Sequence, residues 1–298
     1  MSIFNKKPYL AAVSGGPDSI ALLHMYRKHI KVVCTVKYNK RKDCQHDVDC
    51  VKKLCDKYKI PLEILDVTPE IYKQYSKDTN FQSQARKIRY DFFNETAKKY
   101  HVSKLLIAHH LDDYLETAYS AFNKESKNLY YGIKERSQYL DLEIYRPFIT
   151  RFRKRTLVRY CADYDLEYAT DSSNISDEYE RNRIRKIINA MSNDEVHELM
   201  KKTKKYNKEH AKLYDSIQSH FKNWRSTLFD IKMFKTFTVE EQYYLIYEFL
   251  NYHEIYRPNQ NKINGIIEFI KGMNGKEYRV SDNVSLFKKN SCLEIKIK

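Results

Sequence analysis

Residues 8–29 read PYLAAVSGGPDSIALLHMYRKH, and this stretch decides the fold. An apolar run from Tyr9 to Val13 leads into Ser14-Gly15-Gly16-Pro17-Asp18-Ser19. Apolar side chains then recur at helical spacing: Ile20, Leu22, Leu23, Met25 and Tyr26. The order predicts a strand over 8–13, a tight turn and a helix over 17–29. The chain holds six glycines, and two stand side by side in this turn. Adjacent glycines let backbone N–H groups converge without Cβ atoms in the way, and the new helix N-terminus adds partial positive charge. Pro17 suits a first helical position, where no N–H is needed. These features make a cradle for an anion such as phosphate. A plain strand-to-helix turn capped by Ser14 or Asp18 would use the same residues. No Gly-Lys-Ser/Thr follows, so this is not the ordinary nucleotide P-loop.

Outward from this stretch, short apolar runs at 32–36, 62–67 and 105–108 alternate with helical patterns over 46–58 and 82–100, and a helix begins near Asp112. That alternation predicts an α/β fold with a doubly wound, mostly parallel sheet. Ligands of such sheets sit beyond the carboxyl ends of the strands, which places chemistry between the Ser14–Ser19 turn and the stretch after Ala108. A polar loop is expected over 123–141, a brief extended piece over 144–148 and a basic helix over 151–164. A polar turn over 171–176 then leads to a helix over 178–191. From 194 to 251 the pattern is wholly helical, and the end alternates like a small β unit at 277–280, 284–287 and 293–297. The expected division is therefore 1–191 and 192–298, the second part helical with a short β end.

His109-His110-Leu111-Asp112-Asp113-Tyr114-Leu115-Glu116-Thr117 follows directly on a buried strand. In a helix starting near Asp112, Asp113 and Glu116 are three apart and share a face. Two carboxylates beside a phosphate cradle suit Mg²⁺, which takes carboxylate and phosphate oxygens together, and Asp18 with Asp113 is the candidate pair. They suit a substrate ammonium equally well, and first-turn acids also complement the helix dipole without any ligand. His109 and His110 read as core or capping histidines, because a zinc site lacks further ligands at suitable spacing.

The formal net charge is +15, with 42% hydrophobic and 31% charged residues. A soluble globular chain with a polyanionic partner fits these values, although a bias toward Lys, Asn, Ile and Tyr accounts for part of the charge. No run of eighteen apolar residues exists and Met1–Lys7 lacks an apolar signal core, so a cytoplasmic setting is expected. Six cysteines (34, 44, 50, 55, 161 and 292) form no dense disulfide-like framework. Cys44, Cys50 and Cys55 read as thiols along a helix, with a metal site including His46 as the alternative. Basic runs supply a nucleic-acid side: Arg146, Arg151, Arg153 and Arg155 in one, Arg181, Arg183 and Arg185 in the other. Phosphate contacts would carry most of the affinity, and Phe148, Phe152 and Tyr160 could stack on splayed bases. A solvated helix face is the plainer account of either run. The i, i+2 spacing of the second set fits no single helix face.

Ser14-Gly15-Gly16-x-Asp18-Ser19 after a first strand resembles the pyrophosphate loop of the N-type ATP pyrophosphatases (PP-loop enzymes), which split ATP into AMP and pyrophosphate. Within that superfamily, Leu106-Ile107-Ala108-His109-His110-x-Asp112-Asp113-x-x-Glu116-Thr117 resembles a signature of the tRNA(Ile)-lysidine synthetases. Ala85-Arg86-Lys87-x-Arg89-Tyr90, Arg146-Pro147, Asp171-Ser172-Ser173-Asn174 and Tyr179-x-Arg181-Asn182-Arg183-Ile184-Arg185 follow in the family's order. The resemblance implies a ligase that joins free lysine to C2 of the wobble cytidine in the CAU anticodon of tRNA(Ile), using ATP and Mg²⁺. The cytidine C2 oxygen attacks the α-phosphate and pyrophosphate leaves; lysine then attacks C2 and AMP departs. By resemblance Ser14–Ser19, Arg86 and Arg89 bind ATP, and Asp18, His109, Asp113 and Glu116 lie at the reacting centre. A role in gripping tRNA for 192–298 comes from the same analogy. Oligomeric state is left open.

The chain departs from the family pattern in three places. Val36-Lys37-Tyr38 lacks the usual His of the second-strand motif, Tyr114 replaces the customary Gln, and Phe122–Lys127 replaces a glycine-rich loop, leaving Gly132 alone. The rivals are a PP-loop tRNA thiolase and a tRNA-binding relative without catalysis. The absence of any Cys-x-x-Cys disfavours a cluster-bearing thiolase, and the intact Ser14–Ser19, Asp113 and Glu116 disfavour an inactive relative.

Overall fold

The computed structural model describes residues 8–39, 44–75, 81–124, 127–169, 179–253, 255, 258–272 and 276–297. In chain order these form β1 (Tyr9–Ala12), α1 (Pro17–Tyr26), β2 (Ile30–Lys37), α2 (Cys44–Tyr58), β3 (Leu62–Asp66), α3 (Pro69–Gln74), α4 (Phe81–Lys99), β4 (Lys104–Ile107) and α5 (Leu111–Asn123). Then come β5 (Arg136–Tyr139), β6 (Leu142–Tyr145), α6 (Lys154–Asp163), α7 (Tyr179–Ala190), α8 (Asn193–Ser226), α9 (Ile231–Thr236), α10 (Val239–Tyr252), α11 (Gln260–Lys271), β7 (Glu277–Ser281), β8 (Val284–Lys289) and β9 (Cys292–Ile297).

The main sheet is six-stranded in the order β3-β2-β1-β4-β6-β5. Its neighbours pair in parallel except β5, which runs antiparallel to β6 at one edge. This is the expected doubly wound sheet. Strand order reverses between β1 and β4, so the loops leaving those two strands flank the crevice where such sheets bind ligands. Helices cover both faces. Ile20, Leu22 and Leu23 of α1 pack with Val51, Leu54 and Leu157 on one side, while Tyr90, Phe93 and Ala97 of α4 meet Leu10, Val32 and Leu105 on the other.

Local details differ from the periodicity. The stretch expected as a loop over 123–141 contains β5, a four-residue edge strand whose Arg-Ser-Gln-Tyr carries no apolar alternation because only one side of it is paired. The basic helix begins at Lys154, not Arg151, because residues 147–153 form a turn that brings Arg153 inward. The helical stretch 194–251 is three helices, broken at 227–230 and 237–238. α11 lies in a stretch, 252–276, for which the sequence reading makes no assignment. Gly265 lets the Tyr278 hydroxyl lie close against the helix backbone, where an added Cβ would make the ring shift.

The chain divides into two compact units at Tyr206/Asn207, inside α8. The early turns of α8 belong with the first unit because Val196, Leu199 and Met200 join Leu111, Leu115, Ile184 and Ile188 in one apolar cluster. The second unit has its own core around Trp224, Phe234, Phe249 and Ile266, with the antiparallel β7-β8-β9 sheet contributing Val280, Leu286 and Leu293. Among the described residues no helix is long and apolar enough to cross a membrane.

Candidate active site

The turn after β1 is held by a small set of bonds. The Ser14 N–H donates to Ser19 Oγ at 3.1 Å, and Ser19 Oγ donates to the Gly16 carbonyl at 2.9 Å. Ser19 is therefore the internal tie of the loop. Gly15 has φ +89°, and a Cβ there would lie 2.6 Å from the Asp47 carbonyl oxygen, so the position requires glycine twice over. Its own carbonyl accepts from the Ala169 N–H at 3.0 Å. Gly16 differs: it caps α1 with extended backbone, and an added Cβ would meet nothing nearer than Ser14 Oγ at 3.8 Å. Gly16 therefore lines open space at the helix N-terminus, the place an anion would occupy.

Opposite the loop, His110 caps α5, and Asp113 three residues on accepts the His110 N–H at 2.8 Å. The buried His110 ring stands between acids from two elements: Nε2 lies 3.6 Å from Asp18 Oδ2, and Nδ1 lies 3.5 Å from Asp113 Oδ2 and 3.7 Å from Asp112 Oδ2. Among the described residues Asp18 Oδ1 is buried without a hydrogen-bond partner. Burial raises the Asp18 pKa, with the charges of His110 and Lys154 working against that shift and those of Asp113 and Asp112 adding to it. An oxygen in this position can take a cation or a donor. Asp18 and Asp113 approach different nitrogens of the His110 ring through one oxygen each, and Asp113 Oδ2 also caps α5.

Glu116, on the same face of α5, lies 3.5 Å from Arg185 Nε of α7. His109 Nδ1 accepts from Arg146 Nε at 3.2 Å. Burial lowers the His109 pKa to about 4; Asp113 opposes the shift, while Arg146, Arg89 and Arg86 add to it. The imidazole is thus neutral and accepting at ordinary pH. Arg86 and Arg89 are exposed on α4, with Arg86 stacked over Tyr90 at 4.5 Å. The arrangement is acidic at its centre and rimmed by arginine.

The tRNA-facing set expected from sequence is split by the structure. Arg153 is buried, donating to Asp112 Oδ1 at 2.7 Å and to the Ile188 carbonyl at 2.7 Å. Arg146 is buried too, donating to the Lys134 carbonyl and Ser137 Oγ, each at 2.9 Å. Both side chains thus donate to partners inside the fold, unlike the arginines that face solvent. Arg151, Arg155 and Arg183 are exposed. Arg181 lies in α7, but its side chain is outside the described residues, as is the whole Asp171–Asn174 motif. His110 is buried and caps α5, as its sequence reading has it, and it also stands at the centre of the acids; its place immediately before an Asp-Asp pair at a helix start is the signal for that second role.

The departures pack against structure of their own. Tyr38 donates its hydroxyl to the Ala85 carbonyl at 3.0 Å, tying β2 to the helix that bears Arg86. Tyr114 lies against Gly132, φ +85°, where a Cβ would approach its ring to 2.4 Å. The retained glycine is the one that the substituted tyrosine needs.

A family model described as a PP-loop domain matches residues 2–191. A tRNA(Ile)-lysidine synthase from Ureaplasma parvum serovar 3 is 45% identical over 284 residues, covering 95% of this chain and 85% of that one. The chain belongs to the tRNA(Ile)-lysidine synthase family. Family members from Malacoplasma penetrans and Mycoplasma genitalium are 38% and 36% identical, covering 96% and 98% of this chain and 97% and 98% of theirs. The U34-tRNA thiolase NcsA from Methanococcus maripaludis shares the fold, with a TM-score of 0.56 at 16% identity, over 70% of this chain and 73% of that one. Membership in the tRNA(Ile)-lysidine synthase family agrees with a PP-loop that stands across the strand crevice from the α5 acids.

Proposed function

We propose that this chain joins lysine to C2 of the wobble cytidine in a CAU-anticodon tRNA(Ile), spending ATP as AMP and pyrophosphate. The observation that carries the reading is the meeting of Asp18, from the loop after β1, with His110 and Asp113, from the loop after β4, at the reversal of strand order. Gly16 and the α1 N-terminus take the pyrophosphate portion, and Arg86 and Arg89 offset charge developing at the α-phosphate. The orphaned Asp18 oxygen fits Mg²⁺, a hard cation that takes few protein carboxylates beside phosphate oxygens. When bound there, Mg²⁺ neutralises phosphate charge. Neutral His109, fixed by Arg146, offers a polar edge without adding charge.

The second half of the reaction falls to α5. The lysine ammonium is held by Asp113 and Glu116 and must lose a proton before its nitrogen attacks C2; a carboxylate at this place accepts it. The former C2 oxygen leaves with AMP. The pairing of Glu116 with Arg185 ties this subsite to α7, whose exposed Arg183, with Arg181, belongs to the tRNA side. Arg151 and Arg155 add phosphate contacts. The first compact unit, which takes in α8 as far as Tyr206, acts as the catalytic portion and the second, from Asn207, as a tRNA-gripping portion. Six free thiols support a reducing, cytoplasmic setting. The test is tRNA-dependent pyrophosphate release from ATP and Mg²⁺ with lysine present. Release without tRNA, or none with it, rejects the reading.

A further inference from the structure

Outside the candidate active site, one cluster brings together three different metal-ligating side chains. His46 and Cys50 stand one turn apart on α2, and Glu167 reaches them from the segment after α6; their ligand atoms all lie within 4.8 Å of one another. Cys50 Sγ is 3.8 Å from His46 Nε2 and 4.0 Å from Nδ1. A tetrahedral zinc with ordinary Zn–S and Zn–N lengths holds its sulfur and nitrogen about 3.5 Å apart, so the Cys50–His46 pair needs a few tenths of an ångström of closure, and the Glu167 carboxylate, within 4.8 Å of both, swings in on its own side-chain torsions. The exposed His46 ring can turn either nitrogen to the ion. Lys53 Nζ donates to both Glu167 oxygens, at 3.1 and 2.8 Å, and each oxygen keeps a second lone pair with which the carboxylate can ligate.

Placement gives the cluster a consequence. The residue after His46 is Asp47, whose backbone presses on Gly15, and Ala169, two residues past Glu167, donates its N–H to the Gly15 carbonyl. We propose that His46, Cys50 and Glu167 bind a soft divalent cation of the zinc class, with water in the fourth position, and that the ion cross-links the two backbone segments that grip Gly15. Thiolate and imidazole select such a metal over Mg²⁺, which separates this site from the one at Asp18. The thiol proton is released to solvent on binding.

The experiment is titration of the full chain with Co²⁺, followed by displacement with Zn²⁺. A thiolate-to-cobalt charge-transfer band saturating at one equivalent is expected. Cys50→Ser should abolish the band. His46→Ala, an exposed change that leaves folding intact, and Glu167→Gln should each weaken binding at least tenfold, and Cys292→Ser should change nothing. Amide exchange at residues 14–16 should slow with Zn²⁺ in the parent chain and not in His46→Ala. No one-equivalent complex, a band that survives Cys50→Ser, or full affinity in His46→Ala or Glu167→Gln overturns the site. Unchanged exchange on metal binding overturns the cross-link. None of these readouts uses ATP turnover, so their failure is separable from failure of the proposed activity.

Discussion

Asp18 and His110 meet across the crevice at 3.6 Å, joining the first loop of the sheet to the start of α5, while the other Asp18 oxygen is buried and, among the described residues, unpartnered. Its pKa is raised by burial, so ionised Asp18 opposes folding. The sign follows from linkage: stability from a group with a raised folded pKa is present at low pH and lost as pH rises through that pKa. Asp18→Asn should therefore stabilise the ligand-free protein at neutral pH. The substitution removes the buried charge while keeping the shape, and each kcal/mol so gained moves Tm by roughly 2–4 °C in a domain of this size. The same variant should lose ATP-dependent turnover. Calorimetry beside a pyrophosphate assay checks both, and a lowered Tm would show that Asp18 is a structural anchor.

Neighbouring glycines should respond oppositely. Gly15→Ala meets the Asp47 backbone and an unfavourable φ, and should cost roughly 1–3 kcal/mol of stability. Gly16→Ala has room, so its denaturation midpoint should stay within experimental error while ATP affinity falls. Urea melts with nucleotide titration separate the two, and unaltered ATP binding by Gly16→Ala would remove the anion from that turn.

Arg153 and Asp112 form a buried pair, whereas Arg151 and Arg155 stand in solvent. Arg153→Ala strands a buried carboxylate and should destabilise by roughly 3–5 kcal/mol. Arg151→Gln with Arg155→Gln should leave stability within about 0.5 kcal/mol, weaken tRNA binding and lower the salt slope by about one per lost phosphate contact. An unchanged slope assigns these two to solvent alone.

His109 is held to a folded pKa of about 4, and His253, buried in the second unit, is lowered equally. Below pH 6.5 the unfolded chain takes up protons that these rings refuse, so stability should decline as pH falls from about 6.5 to 4. His109→Gln should flatten part of that decline in the first unit. A pH series of melts checks it, and an identical slope in the variant would mean that His109 titrates normally.

Sequence and structure agree where chemistry is local. The 8–29 stretch shows strand, turn and helix because glycines, proline and apolar spacing act within a few residues. The α5 carboxylates share a face for the same reason. What stayed hidden depends on partners far along the chain. Arg153 looks like any basic helix residue until Asp112, 41 positions earlier, is seen to bind it. His110 gains meaning only when β1 and β4 lie adjacent. Identity of residue types was legible, but burial of charge was not.

The central claim is tested most directly by digesting CAU-anticodon isoleucine tRNA after incubation with the protein, ATP, Mg²⁺ and isotopically labelled lysine, and weighing the wobble nucleoside. The account predicts a cytidine that has gained the mass of one lysine less one water, carries the label, and disappears with Asp18→Asn. An unmodified cytidine, or a cytidine bearing sulfur when a sulfur donor is supplied, would contradict it.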